Sequence, residues 1–221
     1  MTFQAILWDC DGVLIDSEII ACRVTAEHLT AAGYAIDTHT YITRFAGQSR
    51  QQVHDIILKE SGVYLDQQLN LQEIAHAVTK AFEAELIAIE GVAEVLALAK
   101  AKGLPMAVAS GSGLARLEQS LKLTQLWDYF DGHVYSAEQV AHGKPAPDIF
   151  LFAAEKLGVN PKACLVVEDG VHGTHAGKAA GCKVFGFYGA SHGSPAWAQT
   201  LHNAGADKLF DEMRQLPALM G

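Results

Sequence analysis

From Gly91 onward, short apolar segments alternate with helical patterns, and this alternation constrains the fold more than any other feature of the chain. The predicted strands are Met106–Ala109, His133–Tyr135, Cys164–Val167 and Lys183–Phe187. The predicted helices are Val92–Lys102, Leu114–Leu121, Pro147–Leu157, Val171–Ala180 and Pro195–Asn203. Strand followed by helix, repeated at this spacing, is typical of a parallel sheet covered by helices on both faces. We therefore predict an α/β fold.

Another apolar segment, Phe3–Trp8, precedes this alternation and is separated from it by a region of helical patterns without a strand pattern. The predicted helices of that region run from an N-cap at Ser17 to a stop at Gly33, from Gln48 to Glu60 and from Asp66 to Ala88. The first strand belongs to the same sheet as the later ones. We therefore predict a core of residues 1–16 and 88–221 with a small all-helical insertion over 17–87.

Composition narrows the classes of partner. Half of the 221 residues are hydrophobic, so the chain can bury a sizeable core. The net charge of -9 argues against nucleic acid or an anionic membrane as a partner, because both require clustered Lys and Arg. No basic segment precedes an apolar stretch at the amino terminus, and no apolar run approaches the roughly 20 residues that span a bilayer. We expect a cytoplasmic protein, and a monomer because no heptad repeat is visible.

The first strand leads into the sequence DCDGVLIDSE, which begins with Asp9 and Asp11. Residues two apart in an extended chain face the same way, so both carboxylates can point toward one place. Carboxylates this close repel unless a cation lies between them or one keeps its proton. The pair therefore indicates a metal site, an acid/base dyad or both. The alternative is a pair of turn residues beside Gly12.

Later strands also end in polar groups. Ser110 ends the segment MAVAS and is followed by Gly111, Lys144 lies in the loop HGKPAPD, and Glu168 and Asp169 end the segment CLVVED. Ligands of open α/β sheets bind at the carboxyl ends of the strands, so we expect these groups to share one rim. The alternatives are a helix cap, a surface charge and a turn, and the joint occurrence of the groups argues against them.

These groups suit a phosphoryl group and a divalent cation. Carboxylates are hard oxygen ligands of the kind that Mg²⁺ binds, often together with phosphate oxygens. Ser110 and the backbone N–H groups at the following helix start can hold an anion, and Lys144 adds a positive charge. An aspartate can attack phosphorus to form an aspartyl-phosphate, while a second carboxyl protonates the leaving oxygen and then activates water.

The segments DCDGVLIDSE, Ser110, GKPAPD and VVEDG resemble, in this order, the four motifs of the haloacid dehalogenase superfamily. The resemblance covers nearly the whole chain and is to the phosphatase branch with a helical cap, which includes sugar-phosphate phosphatases and β-phosphoglucomutase. It implies a Rossmann-like catalytic core over 1–16 and 88–221. It also implies that the insertion is a cap that closes over the substrate and excludes bulk water.

The resemblance implies a role for each motif residue. Asp9 would be the nucleophile and a metal ligand, and Asp11 the general acid/base, with its backbone carbonyl on the metal. Ser110 and Lys144 would hold the phosphoryl group, with Lys144 also pairing with Asp9. Asp169 would be a direct ligand of Mg²⁺.

Other roles implied by the resemblance are less sharply defined. Glu168 would bind the metal directly or act as a partner through water, and Gly111 would contact the substrate. The segment RFAGQSR resembles the cap loop that contacts the substrate, with Gly47 and Arg50 at its recognisable positions. Arg50 would bind a carboxylate or second phosphate of the substrate, and the alternative is a solvated arginine at a helix start.

Two single positions indicate which of the superfamily's activities this chain has. Dehalogenases and phosphonate hydrolases of the superfamily lack an aspartate at the position of Asp11, and the mutase has a cap histidine where this chain has Ala21. We therefore expect an Mg²⁺-dependent phosphatase that acts on a small phosphorylated metabolite through an aspartyl-phosphate on Asp9. The DSE and IEGV segments resemble phosphatases of sugar or sugar-acid phosphates such as 6-phosphogluconate. The alternatives are a β-phosphoglucomutase-like isomerase and a non-catalytic protein that binds a phosphorylated metabolite.

Overall fold

The computed structural model describes residues 3–45, 50–62 and 69–221, apart from the side chain of Arg50. The chain forms two compact units. One comprises Met1–Asp16 with Ile87–Gly221 and is called the core unit below, and the other, Ser17–Leu86, is called the helical unit. No helix in the described ranges has the length and apolar character needed to cross a membrane.

The core unit contains a six-stranded parallel sheet with the order β3-β2-β1-β4-β5-β6. Its strands are β1 (Ala5–Trp8), β2 (Met106–Ser110), β3 (Val134–Ser136), β4 (Cys164–Glu168), β5 (Lys183–Phe187) and β6 (Lys208–Phe210). All residues of β1, β2 and β4 are buried, as expected for central strands with helices on both faces. The predicted α/β fold is confirmed. The short edge strand β6 was not predicted, since its three residues show too little apolar pattern.

The described part of the helical unit contains α1 (Glu18–Ala31), α2 (Thr38–Phe45), α3 (Arg50–Ser61) and α4 (Leu71–Glu85). Helix α1 follows Ser17 as predicted, but the Ser17 side chain makes no capping hydrogen bond. The third predicted helix, Asp66–Ala88, begins outside the described residues, since 66–68 are not among them, and over the described part the prediction is too long at both ends. Asn70 caps α4 by accepting from the backbone N–H groups of Gln72 and Glu73, and Leu86 is already extended. A small apolar cluster packs α1, α2 and α3 together: Leu29, Tyr34, Phe45, Val53 and Ile57.

The helices of the core unit are α5 (Val92–Ala101), α6 (Leu114–Leu123), α7 (Asp148–Lys156), α8 (Val171–Ala179), α9 (Pro195–Asn203) and α10 (Leu216–Met220). The first five have boundaries close to the predicted ones, and α10 was not predicted. Helix α8 lies very close to the sheet, because a Cβ on Gly177 would lie 2.7 Å from the Val184 Cγ2 atom. The apolar core between sheet and helices includes Leu7, Phe150 and Val166.

Candidate active site

Three adjacent strands, β2, β1 and β4, bring the predicted site residues together at one edge of the sheet. Trp8 of β1 pairs with Val108 of β2 and with Val167 of β4. The residues that follow, Asp9 and Glu168, therefore end their strands at the same level. Residues distant in sequence converge here because the carboxyl ends of parallel strands share one edge. The convergent side chains are all buried: Asp9, Ser110, Glu168 and Asp169.

Lys144 bridges two of these carboxylates. Its Nζ atom lies 2.5 Å from Asp9 Oδ1 and 2.7 Å from Glu168 Oε1, and its side chain is only 10% exposed. Burial by itself lowers the pKa of Lys144, but the charges of Asp9 and Glu168 outweigh burial and raise that pKa above its ordinary value. The lysine is therefore charged and held between the two acids.

Glu168 is fixed from several sides. Its Oε1 atom accepts from Lys144, and its Oε2 atom accepts a hydrogen bond of 2.7 Å from the backbone N–H of Gly170. A Cβ on Gly173 would lie 1.5 Å from Glu168 Oε1, so only glycine at that point of α8 leaves room for the carboxylate. Gly173 and Gly177 are one turn apart on the face of α8 that contacts the sheet. Both glycines allow the close approach of helix and sheet that encloses Glu168.

Asp9, Glu168 and Asp169 have carboxylate oxygens that all lie within 4.8 Å of one another. Burial raises the pKa of Asp9 well above its ordinary value, and the nearby Glu168 and Asp169 raise it further, against the opposing effect of Lys144. Burial also raises the pKa of Asp169. One lysine thus faces three buried carboxylates, and this excess of negative charge is what a bound cation would relieve. The hard oxygen donors fit Mg²⁺.

Asp11 is held by two partners on α6 and the loop before it. Arg116 Nη2 lies 2.9 Å from Asp11 Oδ1, and the Ser112 hydroxyl donates to Asp11 Oδ2 at 2.6 Å. Ser112 is itself fixed, since its carbonyl accepts from the Ser136 hydroxyl and its N–H donates to Ser110 Oγ. Among the residues that the structure describes, the Ser110 hydroxyl accepts from Ser112 and donates no hydrogen bond, and the space beside Gly111 is open. Hydrogen bonds therefore connect Asp11 to Ser110 through Ser112.

Two partners of the site were missed by the sequence analysis. Arg116 lies in the first turn of α6 and binds Asp11 across 105 positions of sequence. His192 lies in the loop after β5, and its Nε2 atom is 3.1 Å from Asp169 Oδ2. No local pattern marks His192, whereas Arg116 has one usable signal, a basic residue just after a predicted phosphate-binding turn.

Two predicted substrate contacts are not placed by the structure. Gly47 lies outside the described residues. Arg50 begins α3, as a helix-start residue, but its side chain also lies outside the described part. The roles of both residues stay predictions.

Comparisons with known proteins agree with this geometry. The family model of haloacid dehalogenase-like hydrolases matches residues 3–181. The 6-phosphogluconate phosphatase of Escherichia coli K12 is 31% identical over 216 residues, which cover 98% of this chain and 94% of the relative.

Solved structures give the same result. A conserved haloacid dehalogenase-like protein of unknown function from Agrobacterium tumefaciens C58 superposes with a TM-score of 0.90 at 38% identity, covering 99% of this chain and 97% of that one. A haloacid dehalogenase family hydrolase from Deinococcus radiodurans R1, with bound phosphate and sodium, has a TM-score of 0.86 at 34% identity and coverages of 99% and 95%. The chain therefore belongs to the haloacid dehalogenase-like hydrolases, the family that its four motifs predicted.

Proposed function

We propose that this protein is an Mg²⁺-dependent phosphatase that hydrolyses a small sugar or sugar-acid phosphate through an aspartyl-phosphate on Asp9. The protein is a phosphoric monoester hydrolase, a conclusion supported by its family and by the phosphatase from Escherichia coli that matches nearly its whole length. The observation that carries the mechanism is the buried bridge of Lys144 between Asp9 and Glu168 at the strand ends.

The first step forms a covalent intermediate. One oxygen of the Asp9 carboxylate attacks phosphorus, and the bond between phosphorus and the ester oxygen of the substrate breaks. Asp11 acts as the general acid and gives a proton to the leaving oxygen. Lys144, the Ser110 hydroxyl and the backbone N–H groups near Gly111 stabilise the negative charge on the phosphoryl oxygens.

The second step releases Asp9. A water molecule attacks the phosphorus of the aspartyl-phosphate, and the bond to the Asp9 oxygen breaks. Asp11, now a carboxylate, accepts the proton of that water and returns to its starting state. Arg116 and Ser112 serve as positioning residues in both steps, because they hold the two oxygens of Asp11.

The ligands of the metal can be assigned from the carboxylate oxygens that do not already accept a hydrogen bond from the protein. Lys144 and Gly170 occupy both oxygens of Glu168, whereas Asp9 Oδ2 and Asp169 Oδ1 accept no hydrogen bond from the described residues. We assign direct binding to Asp9 and Asp169, together with the backbone carbonyl of Asp11, and a supporting role through Lys144 or water to Glu168. When bound, Mg²⁺ would neutralise charge on the transferred phosphoryl group.

The substrate class rests on similarity and on the helical unit. The relative from Escherichia coli acts on 6-phosphogluconate, and we propose a phosphate ester of that size and polarity for this enzyme. The helical unit would act as the cap, with Gly47 and Arg50 contacting the sugar. The cytoplasmic location and monomeric state stay predictions from the sequence.

The test is release of inorganic phosphate from a panel of sugar and sugar-acid phosphates, with and without Mg²⁺. We expect the parent to release phosphate and free sugar in equal amounts, and Asp9→Asn to release none. Asp131→Asn is the matched control, because Asp131 is 71% exposed and has a left-handed backbone that asparagine tolerates. Activity in Asp9→Asn, or a rearranged phosphosugar without free phosphate, would contradict the proposal.

A further inference from the structure

The loop after β5 is built to place one histidine beside the metal-binding carboxylates. Ser191, next to His192, donates from its backbone N–H and its hydroxyl to the two oxygens of Asp16. A Cβ on Gly189 would lie 1.7 Å from the carbonyl oxygen of Asp211, and one on Gly193 would lie 1.9 Å from that of Tyr188. The loop is therefore held at closely packed points on both sides of His192, whose side chain is 9% exposed.

His192 contacts the side chain of Asp169 directly. Its Nε2 atom lies 3.1 Å from Asp169 Oδ2, within hydrogen-bonding distance. A Cβ on Gly12 would lie 1.9 Å from the same oxygen and 2.9 Å from His192 Cε1, so the carboxylate is packed between these two residues. Trp197 fixes the backbone at this point, since its indole N–H donates to the Asp169 carbonyl at 2.7 Å. Asp169 is therefore held by both its side chain and its main chain.

This arrangement leaves Asp169 a single oxygen for a cation. A carboxylate with Oδ2 committed to an N–H donor can bind a metal through Oδ1 but cannot embrace it with both oxygens. Mg²⁺ requires near-octahedral geometry and short bonds to single oxygens, whereas Ca²⁺ accepts more ligands and commonly takes carboxylates in bidentate fashion. The orientation of Asp169 thus bears on which divalent cation the site prefers.

We infer that His192 is a positioning residue that restricts Asp169 to one-oxygen binding and so makes the site selective for Mg²⁺ over Ca²⁺. The inference rests on the cation site of the proposed function. Partners that orient a metal ligand typically change metal affinity by about 10- to 100-fold when they are removed. Loss of the His192 N–H frees Asp169 Oδ2, which weakens the one-oxygen geometry that Mg²⁺ requires and permits the two-oxygen geometry that suits Ca²⁺.

The experiment measures metal binding in the absence of any substrate. Mg²⁺ and Ca²⁺ are each titrated into the full chain by calorimetry, with tryptophan fluorescence as a second readout because the Trp197 indole N–H donates to the Asp169 carbonyl. The variants are His192→Ala and His192→Gln, whose amide keeps an N–H donor of similar reach. The matched control is His202→Ala, an exposed histidine on α9. Thermal melts of the metal-free proteins show whether each variant is folded.

We expect His192→Ala to lose about 10-fold or more in Mg²⁺ affinity and to lose less, or gain, in Ca²⁺ affinity. His192→Gln retains part of the preference, and His202→Ala binds like the parent. Equal losses for both ions, or dissociation constants within twofold of the parent, would overturn the inference while leaving the phosphatase proposal intact. A parent that binds neither ion would overturn the cation site itself and the inference with it.

Discussion

The core unit and the helical unit differ in what they bury. The core unit buries the carboxylates of Asp9, Asp16, Glu168 and Asp169 among its strand ends and loops. Among the described residues of the helical unit no charged side chain is buried, and its ion pairs lie near the surface. Arg23 with Glu85 and Arg44 with Glu60 have side chains that are at least 35% exposed.

This difference determines which substitutions of charged residues each unit tolerates without loss of stability. A buried charge needs its partner, because removal of one member leaves an uncompensated charge in a medium of low dielectric. An exposed ion pair is screened by water and contributes little. The core unit therefore keeps its network as a whole, whereas the surface of the helical unit can vary. That division agrees with the proposal that the chemistry takes place in the core unit and that the helical unit sets the specificity.

The largest expected difference is between two single variants, one that loses a cationic side chain of the core unit and one that loses a cationic side chain of the helical unit. Lys144→Met takes away the bridge between Asp9 and Glu168, and we expect kcat to fall by about 10²- to 10³-fold, as for loss of a central electrostatic contact. Arg23→Met removes two exposed ion pairs, with Glu27 and Glu85, and should leave kcat within about twofold of the parent. Steady-state phosphate release measures both. Similar losses in the two variants would break the comparison.

A second prediction concerns the apolar cluster of the helical unit. Ile57 is fully buried, so Ile57→Ala should cost about 2 to 5 kcal/mol of stability through lost burial and a cavity. Hydrogen exchange read by mass spectrometry should show faster exchange in α1 and α3 and unchanged exchange in β1, β2 and β4. Equal acceleration in the central strands would mean that the two units unfold together.

Arg116 gives a smaller effect within the core unit. Arg116→Ala removes the partner of Asp11 Oδ1, and we expect kcat to fall about 10-fold with KM within about twofold. The loss stays below the roughly 10² to 10⁴ that a general acid contributes, because Ser112 still holds the other oxygen. Arg116→Lys should recover part of the rate. A change confined to KM would instead identify Arg116 as a substrate contact.

The sequence predicts those site residues that lie at the end of a strand. Asp9, Ser110 and Glu168 each end or follow an apolar segment, so local pattern and sheet topology together place them. Arg116 and His192 reach the site through packing of distant segments, and no local pattern reports a contact of that kind.

The errors in the predicted elements have similar causes. The apolar stripe of α4 continues past its true ends, so periodicity alone extended the helix in both directions. A local signal for its start was present, because Asn70 and Glu73 have capping-box spacing and hydrogen bond at 3.0 Å. Strand β6 has three residues and an exposed first position, so its assignment depends on pairing with β5.

The smallest expected effect concerns an ion pair of the core unit that resembles those of the helical unit. Asp207, before β6, accepts hydrogen bonds from Lys178, Lys183 and the backbone N–H of Val184. Burial raises the pKa of Asp207, but these hydrogen bonds outweigh it and lower the pKa below its ordinary value. A lowered pKa in the folded state stabilises the fold above the unfolded-state pKa of about 4, and this contribution disappears as pH falls through the folded-state value.

Asp207→Asn should therefore destabilise the protein at pH 7 by less than about 1 kcal/mol, since the pair is partly exposed and screened. The difference from the parent should shrink as the pH is lowered below about 4. Urea unfolding at a series of pH values measures it, with added salt reducing the difference at pH 7. A difference that is independent of pH would show that Asp207 acts through its hydrogen bond to Val184 and not through its charge. Asp207 would then stabilise the core unit through a backbone hydrogen bond, whereas the surface pairs of the helical unit act through charge alone. The two units would therefore differ in their buried backbone hydrogen bonds as well as in their buried charges.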